Sequence, residues 1–311
     1  MRQDRIARTG ISKRPRPKGQ PQGDAGTWRC PAGLTIMQTP SLSAASAAPR
    51  LLVVLTALAQ VVTPALPSLG LGEPIGSQSD AVRTLITPAG WAFSIWGPLY
   101  LGSILFAIYQ ALPAQANDPL LARIRMPAAC AFLGNAVWAA YTQVFGLSVV
   151  SFAIIAITLA SLLTVYRRLY RWSGAFSTGQ RWLVVLPLSA LAAWLSAATI
   201  VNAAAALRFH GVEAGDYAAL VAAAVIVIGG VIAGLALLRT SGNPFYAIVF
   251  LWALSAIYAA GGQEAQAVGA AAIVAAILVV AGAMMGLRNG GAARWLSNEG
   301  SPSRGLSQAR G

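Results

Sequence analysis

Charge is scarce in this sequence. Only 10% of its 311 residues are Asp, Glu, Lys or Arg, against roughly 25% in a soluble domain. The scarcity is also organised. Eight mostly apolar stretches, near 51–67, 90–112, 127–145, 147–166, 183–206, 217–238, 244–261 and 266–287, contain no charged residue at all. A spanning helix needs about 20 such residues. One charge at its centre costs roughly 2.5–3.5 kcal/mol on insertion scales. The expected fold class is therefore all-α, a polytopic membrane helical bundle of about eight transmembrane helices. A mean hydropathy of +0.64 agrees.

Other absences narrow the chemistry. The spans hold no carboxylate, Lys, Arg or His, which proton relays and ion-coupled transporters use. No Ser/His/Asp or Cys/His set can be assembled, so no catalytic residue is assigned and enzymatic activity is not expected. Cys30 and Cys130 are the only cysteines, and neither metal spacing nor a disulfide framework follows from them. The one histidine, His210, stands beside Arg208 in a loop. It reads either as an axial haem ligand or as a solvated loop residue. No metal site and no obligatory cofactor are expected.

What charge there is lies on one side. The net charge is +13. A basic chain can signal nucleic acid, but Lys and Arg also collect in the cytoplasmic loops of membrane proteins. With eight spans, both tails and the loops near 113–126, 167–182 and 239–243 fall on the same side and carry 20 of the 22 basic residues. Arg83 and Arg208 are the other two. This asymmetry predicts cytoplasmic termini, in a bacterial inner membrane, and no nucleic-acid partner.

Residues 1–49, with runs such as "KRPRPKGQPQG", lack the apolar content for a core and read as a disordered basic tail. Met37 opens a more usual lead, so 1–36 reads as an upstream extension. The apolar run after Arg50 reads as an uncleaved helix, since no clean cleavage site follows it. Residues 289–311 read as a second disordered tail. "GGVIAG" (Gly230, Gly234) and "GAMMG" (Gly282, Gly286) carry GxxxG spacing, which serves close helix packing, either within the chain or across a homodimer face.

What remains inside the spans is aromatic and amide. "GNAVWAAYT" places Asn135, Trp138 and Tyr141 at i, i+3 and i+6. "WLSAATIVN" places Trp194, Ala198 and Asn202 at i, i+4 and i+8. "TPAGWAFSIWGPLY" carries Pro88, Trp91, Trp96 and Tyr100. Interfacial belts hold Trp at span ends, as expected for Trp172, Trp182 and Trp295, but Trp138 and Trp194 fall near mid-span. The faces suit a pocket for a flat apolar ligand with polar edges, or plain interhelical packing.

These residues resemble the TspO/MBR family, the tryptophan-rich sensory proteins and the translocator (peripheral-type benzodiazepine receptor) protein. Its first loop and second helix follow a pattern close to P-x-W-x-F-x-P-V-W-x-x-L-Y. Pro88, Trp96, Leu99 and Tyr100 fit it. Trp91 stands one position late, and Ser94 replaces the second Pro. Asn135 and Trp138 match L-N-x-x-W, with Gly134 for Leu. Trp194 and Asn202 match a Trp followed eight residues later by Asn.

The resemblance covers about 50–210. It implies a five-helix core, with 211–288 as three additional transmembrane helices. It further implies a pocket lidded by the Trp/Pro-rich loop and a sensory, regulatory or transport role. The implied ligand-binding residues are Pro88, Trp91, Trp96, Tyr100, Asn135, Trp138, Tyr141, Trp194, Ala198 and Asn202. The implied ligand is a porphyrin or other tetrapyrrole, or a bound haem, ahead of a sterol. The sterol pattern occurs only as Leu163, Tyr166 and Arg168 on the fourth helix, whereas the family's follows the fifth. The competing expectation is a secondary transporter or lipid flippase using all eight helices.

Overall fold

A computed structural model describes residues 44–296, with side chains from residue 47 onward. The upstream segment 1–36 and the distal part of each tail lie outside the described residues. Among the described residues all regular structure is helical. Eight long helices carry the fold: α1 (Ala44–Val62), α2 (Trp96–Ala111), α3 (Pro119–Phe145), α4 (Val149–Tyr170), α5 (Leu186–Phe209), α6 (Ala218–Arg239), α7 (Pro244–Ala259) and α8 (Gln266–Gly286). With their flanking turns, eight segments are long and apolar enough to cross a membrane. The protein is a polytopic all-α membrane bundle.

Backbone polar groups have no water to meet in a bilayer, and side chains cap the starts of α3, α4 and α7. Asp118 Oδ1 accepts from Leu120 and Leu121 N–H at 2.8 and 2.9 Å, with Pro119 opening α3. Asn243 Oδ1 caps α7 through Phe245 and Tyr246 N–H, while its Nδ2 donates to Ser189 Oγ on α5 at 2.9 Å. Proline is suited to these first helical positions, where its missing N–H costs nothing. Between α3 and α4 the chain turns at Gly146, with φ +78°. A side chain there is strained by the backbone and crowded by Phe209, 3.0 Å from a Cβ.

The first five helices form a closed ring. α1 packs against α2 and α3, α3 against α4, α4 against α5, and α5 returns to α2. The last contact is close because Gly102 faces the Pro187 ring. α7 seats on α5, α8 on α7, and α6 chiefly on α8. Both GxxxG runs work inside the chain. A Cβ on Gly282 would lie 2.2 Å from Gly234 O, and one on Gly230 would lie 2.5 Å from Ala275 Cβ.

Three boundary expectations need correction. Helix α1 starts at Ala44, inside the expected tail, and runs on through Pro49. Helix α3 starts at Pro119, so Arg123 and Arg125 lie within a membrane helix rather than before it. Arg125 is 4% exposed, and its guanidinium donates to Gln110 Oε1 and to the carbonyls of Gln110, Gln115 and Ala116. It thereby caps the end of α2.

The third correction is the C-terminal tail, which is ordered at least to Leu296. Trp295 is fully buried rather than interfacial. It stacks on Phe176 at 5.8 Å and donates Nε1–H to Ser241 O at 2.9 Å. Beside it, Arg294 donates to the carbonyls of Leu169, Tyr170 and Trp172 at the end of α4.

Candidate functional site

The two mid-span tryptophans, Trp138 and Trp194, meet at Trp96. Trp96 on α2 stacks against Trp138 on α3 at 6.2 Å between ring centroids, and meets Trp194 on α5 edge to face at 6.0 Å. Tyr100 also stacks on Trp96, at 5.1 Å. Phe93 adds an edge contact to Trp194. Such geometries are worth roughly 0.5–1.5 kcal/mol each beyond area burial.

Beside this cluster is a cavity of about 40 Å³. Pro88, Trp96, Trp138, Trp194, Ala198 and Asn202 line it, together with Phe93, Ile75, Ser79, Leu147, Ala197 and Val201. One buried water needs ~10–15 Å³, so the cavity has room for about three waters. Pockets that take small-molecule ligands measure roughly 300–1,000 Å³. A macrocycle therefore enters only if the cavity opens.

The polar groups of the cluster divide into satisfied and unsatisfied. Trp138 Nε1 donates to Asn202 Oδ1 at 3.1 Å, and Asn202 Nδ2 donates to Ala198 O at 2.9 Å. The indole N–H groups of Trp96 and Trp194 are buried and have no hydrogen-bond partner. Both rings line the cavity. A buried donor without an acceptor costs roughly 1–3 kcal/mol. Two such donors beside one cavity favour an occupant that carries acceptors.

Asn135 stands one layer back. Its Nδ2 donates to Gln60 Oε1 on α1 at 3.3 Å, and the Tyr100 hydroxyl approaches its amide. Gln60 is completely buried and was missed, although it is the lone amide in "LLVVLTALAQVV".

Two expected residues lie elsewhere. Tyr141 pairs with Phe145 at 5.0 Å and its hydroxyl meets Ser148 Oγ at 2.9 Å, at the α3–α4 turn. Each step of three residues falls about 60° short of a full turn. The i+6 position therefore lies about 120° round from Asn135 and off the shared face. Trp91 is 47% exposed and does not line the cavity. His210 Nε2 accepts from Val149 N–H at 3.3 Å, across the start of α4.

The cavity is not walled by five helices alone. Ala253 and Ile257 of α7 line it. Helix α7 also grips the segment Thr84–Ile95, which covers it. Ala89 N–H donates to Ala256 O at 3.0 Å, and Trp252 Nε1 donates to Ala92 O at 3.2 Å. Trp252 packs edge-on against Trp91 at 4.8 Å. Gly261, just past α7, admits Leu85 O so closely that any Cβ would collide with it. Trp252 lies mid-helix, the position that singled out Trp138 and Trp194, and sequence reasoning passed over it.

A family model described as TSPO-like protein matches residues 50–285. The match runs through α6 and α7 and almost all of α8, beyond the limit near residue 210 that the motifs had marked. No curated protein and no solved structure matches.

Proposed function

The chain belongs to the TSPO-like protein family, and from that premise we propose that its tryptophan cavity binds a flat hydrophobic ligand with acceptor atoms at its edge, a porphyrin or related tetrapyrrole. The observation that carries this reading is the pair of unpartnered indole donors, Trp96 Nε1 and Trp194 Nε1, at one aromatic cavity. A planar macrocycle offers a face for the indoles and acceptors for their N–H groups. The lining has no carboxylate, ammonium, guanidinium or imidazole, so binding rather than acid–base catalysis is the role proposed.

Opening is part of the proposal. The Thr84–Ile95 segment lifts, Trp96 withdraws from Trp138 and Trp194, and the ligand takes the place of their mutual contacts. The segment is fastened to α7 by two hydrogen bonds and the Trp91–Trp252 contact. Occupancy is thus felt by the helices beyond the ring, which suits a sensory role.

Titration of the purified protein with protoporphyrin IX, followed by tryptophan fluorescence, tests the reading. Saturable quenching at one ligand per chain is expected, with cholesterol failing to compete. Absence of saturable quenching, or full competition by the sterol, overturns it.

A further inference from the structure

A second concavity lies further along α5, toward its C-terminal end. It is a groove of about 590 Å³ between α5, α6 and the segment Arg83–Ile86. Its floor is apolar, with Ile86, Leu207, Val221 and Val225 among the lining residues. Helices α5 and α6 touch only sparingly, which is why the groove exists. From Ala218 at the start of α6 to Val225 is about 10 Å of helix. A bilayer's hydrocarbon core is ~30 Å thick, so the groove descends within a single leaflet.

The rim is charged in a specific way. Arg83 pairs with Glu264 at 3.1 Å, and Arg208 pairs with Glu213 at 2.6 Å. All four side chains line the groove and are about half exposed. Among the described residues, Arg83 and Arg208 are the only basic side chains on the face that carries the α1–α2, α3–α4, α5–α6 and α7–α8 connections. Both stand at this one opening. Each ion pair occupies one guanidinium nitrogen, and a guanidinium has five N–H donors in a fork that matches phosphate.

We propose that this groove is a phospholipid site. One acyl chain lies on the apolar floor between α5 and α6, and a zwitterionic phosphoethanolamine head sits in the rim. The phosphate meets Arg83 and Arg208, and the ammonium meets Glu213 and Glu264. Two cations and two anions at the rim match a head that carries one of each, and disfavour one that is only anionic. The depth fits a lipid entering from one leaflet rather than a soluble phosphate. The groove shares no lining residue with the tryptophan cavity, but Thr84–Ile86 belong to the segment proposed to lift there, so the test uses protein free of porphyrin.

Native mass spectrometry of the full-length protein in a mild detergent tests this, with dioleoyl phosphatidylethanolamine, dioleoyl phosphatidylglycerol and dioleoylglycerol as probes. One phosphatidylethanolamine should survive detergent that strips the other lipids. Arg83→Gln with Arg208→Gln should weaken its retention about tenfold. Val221→Trp, at a half-exposed wall position, should fill the groove and abolish retention with both arginines intact. Glu213→Gln with Glu264→Gln should erase the preference for phosphatidylethanolamine over phosphatidylglycerol. The thermal midpoint of each variant reports its folding. Equal retention of phosphatidylethanolamine and dioleoylglycerol, unchanged by Val221→Trp, would mean ordinary boundary lipid. Tighter binding of phosphatidylglycerol would overturn the assigned head. Neither result touches the porphyrin titration, which reads a different cavity.

Discussion

Trp138→Phe and Trp194→Phe should rank one way in stability and the other way in ligand affinity, although both indoles are 3% exposed. The substitutions remove the same ring area, so that loss largely cancels in a comparison. The hydrogen-bond terms do not cancel. Trp138→Phe leaves Asn202 Oδ1 buried without the donor it has at 3.1 Å. An orphaned buried acceptor costs roughly 1–3 kcal/mol, while interhelical bonds in membrane proteins average about 0.6 and reach about 1.7 kcal/mol. About 1 kcal/mol is therefore expected. Trp194→Phe removes a donor that has no partner and so breaks no bond. Without ligand, Trp138→Phe should be the less stable variant by about 1 kcal/mol, read from reversible unfolding in mixed micelles. With protoporphyrin IX the order reverses. A neutral hydrogen bond is worth about 0.5–1.5 kcal/mol, so losing the Trp194 donor should weaken binding up to about tenfold. Trp138, already committed to Asn202, should matter less. If the two variants are equally destabilised, or Trp138→Phe loses more affinity than Trp194→Phe, the division into satisfied and waiting donors is wrong.

Further outcomes follow from the same packing. Trp252→Ala removes the bond to Ala92 O and the edge contact with Trp91, and should speed porphyrin association in stopped-flow quenching while leaving the ring folded. Gly282→Val drives a side chain into Gly234 O, a backbone atom that cannot rotate away. It should cost 1–3 kcal/mol or more in thermal stability, whereas Gly97→Ala, with nothing within 4 Å, should be neutral. Trp295→Ala should cost about 3–5 kcal/mol, against almost nothing for a residue of an interfacial belt; a midpoint equal to that of the parent protein would refute its burial.

Much of the architecture was legible because charge and hydropathy act on whole segments. Eight uncharged stretches gave eight helices. The site was legible where a large side chain stood at a depth that belts do not explain, as with Trp138 and Trp194. Spacing was a weaker guide. The Trp194, Ala198, Asn202 run drifts by only about 40° per step and stays on the cavity, while the run ending at Tyr141 leaves it. Ala253 and Ile257 carried no signal, since small and branched apolar residues look alike whether they face lipid, a neighbouring helix or a cavity. The burial of Trp295 was hidden for another reason. It depends on Phe176 and Ser241, more than fifty residues away in the chain, and no local pattern records such a meeting.

The Ala89–Ala256 and Trp252–Ala92 hydrogen bonds carry a thermodynamic obligation. If the loop over the cavity must leave α7 for a ligand to enter, then the free energy of that parting belongs to both sites. Whatever steadies α7 from the far side, whether a protein docked on α6 to α8 or a change in bilayer thickness, alters ligand affinity by some factor. The ligand must alter the affinity of that influence by the same factor, because linkage is reciprocal. The three helices beyond the ring are then a handle on the cavity, and occupancy of the cavity can be read from the handle.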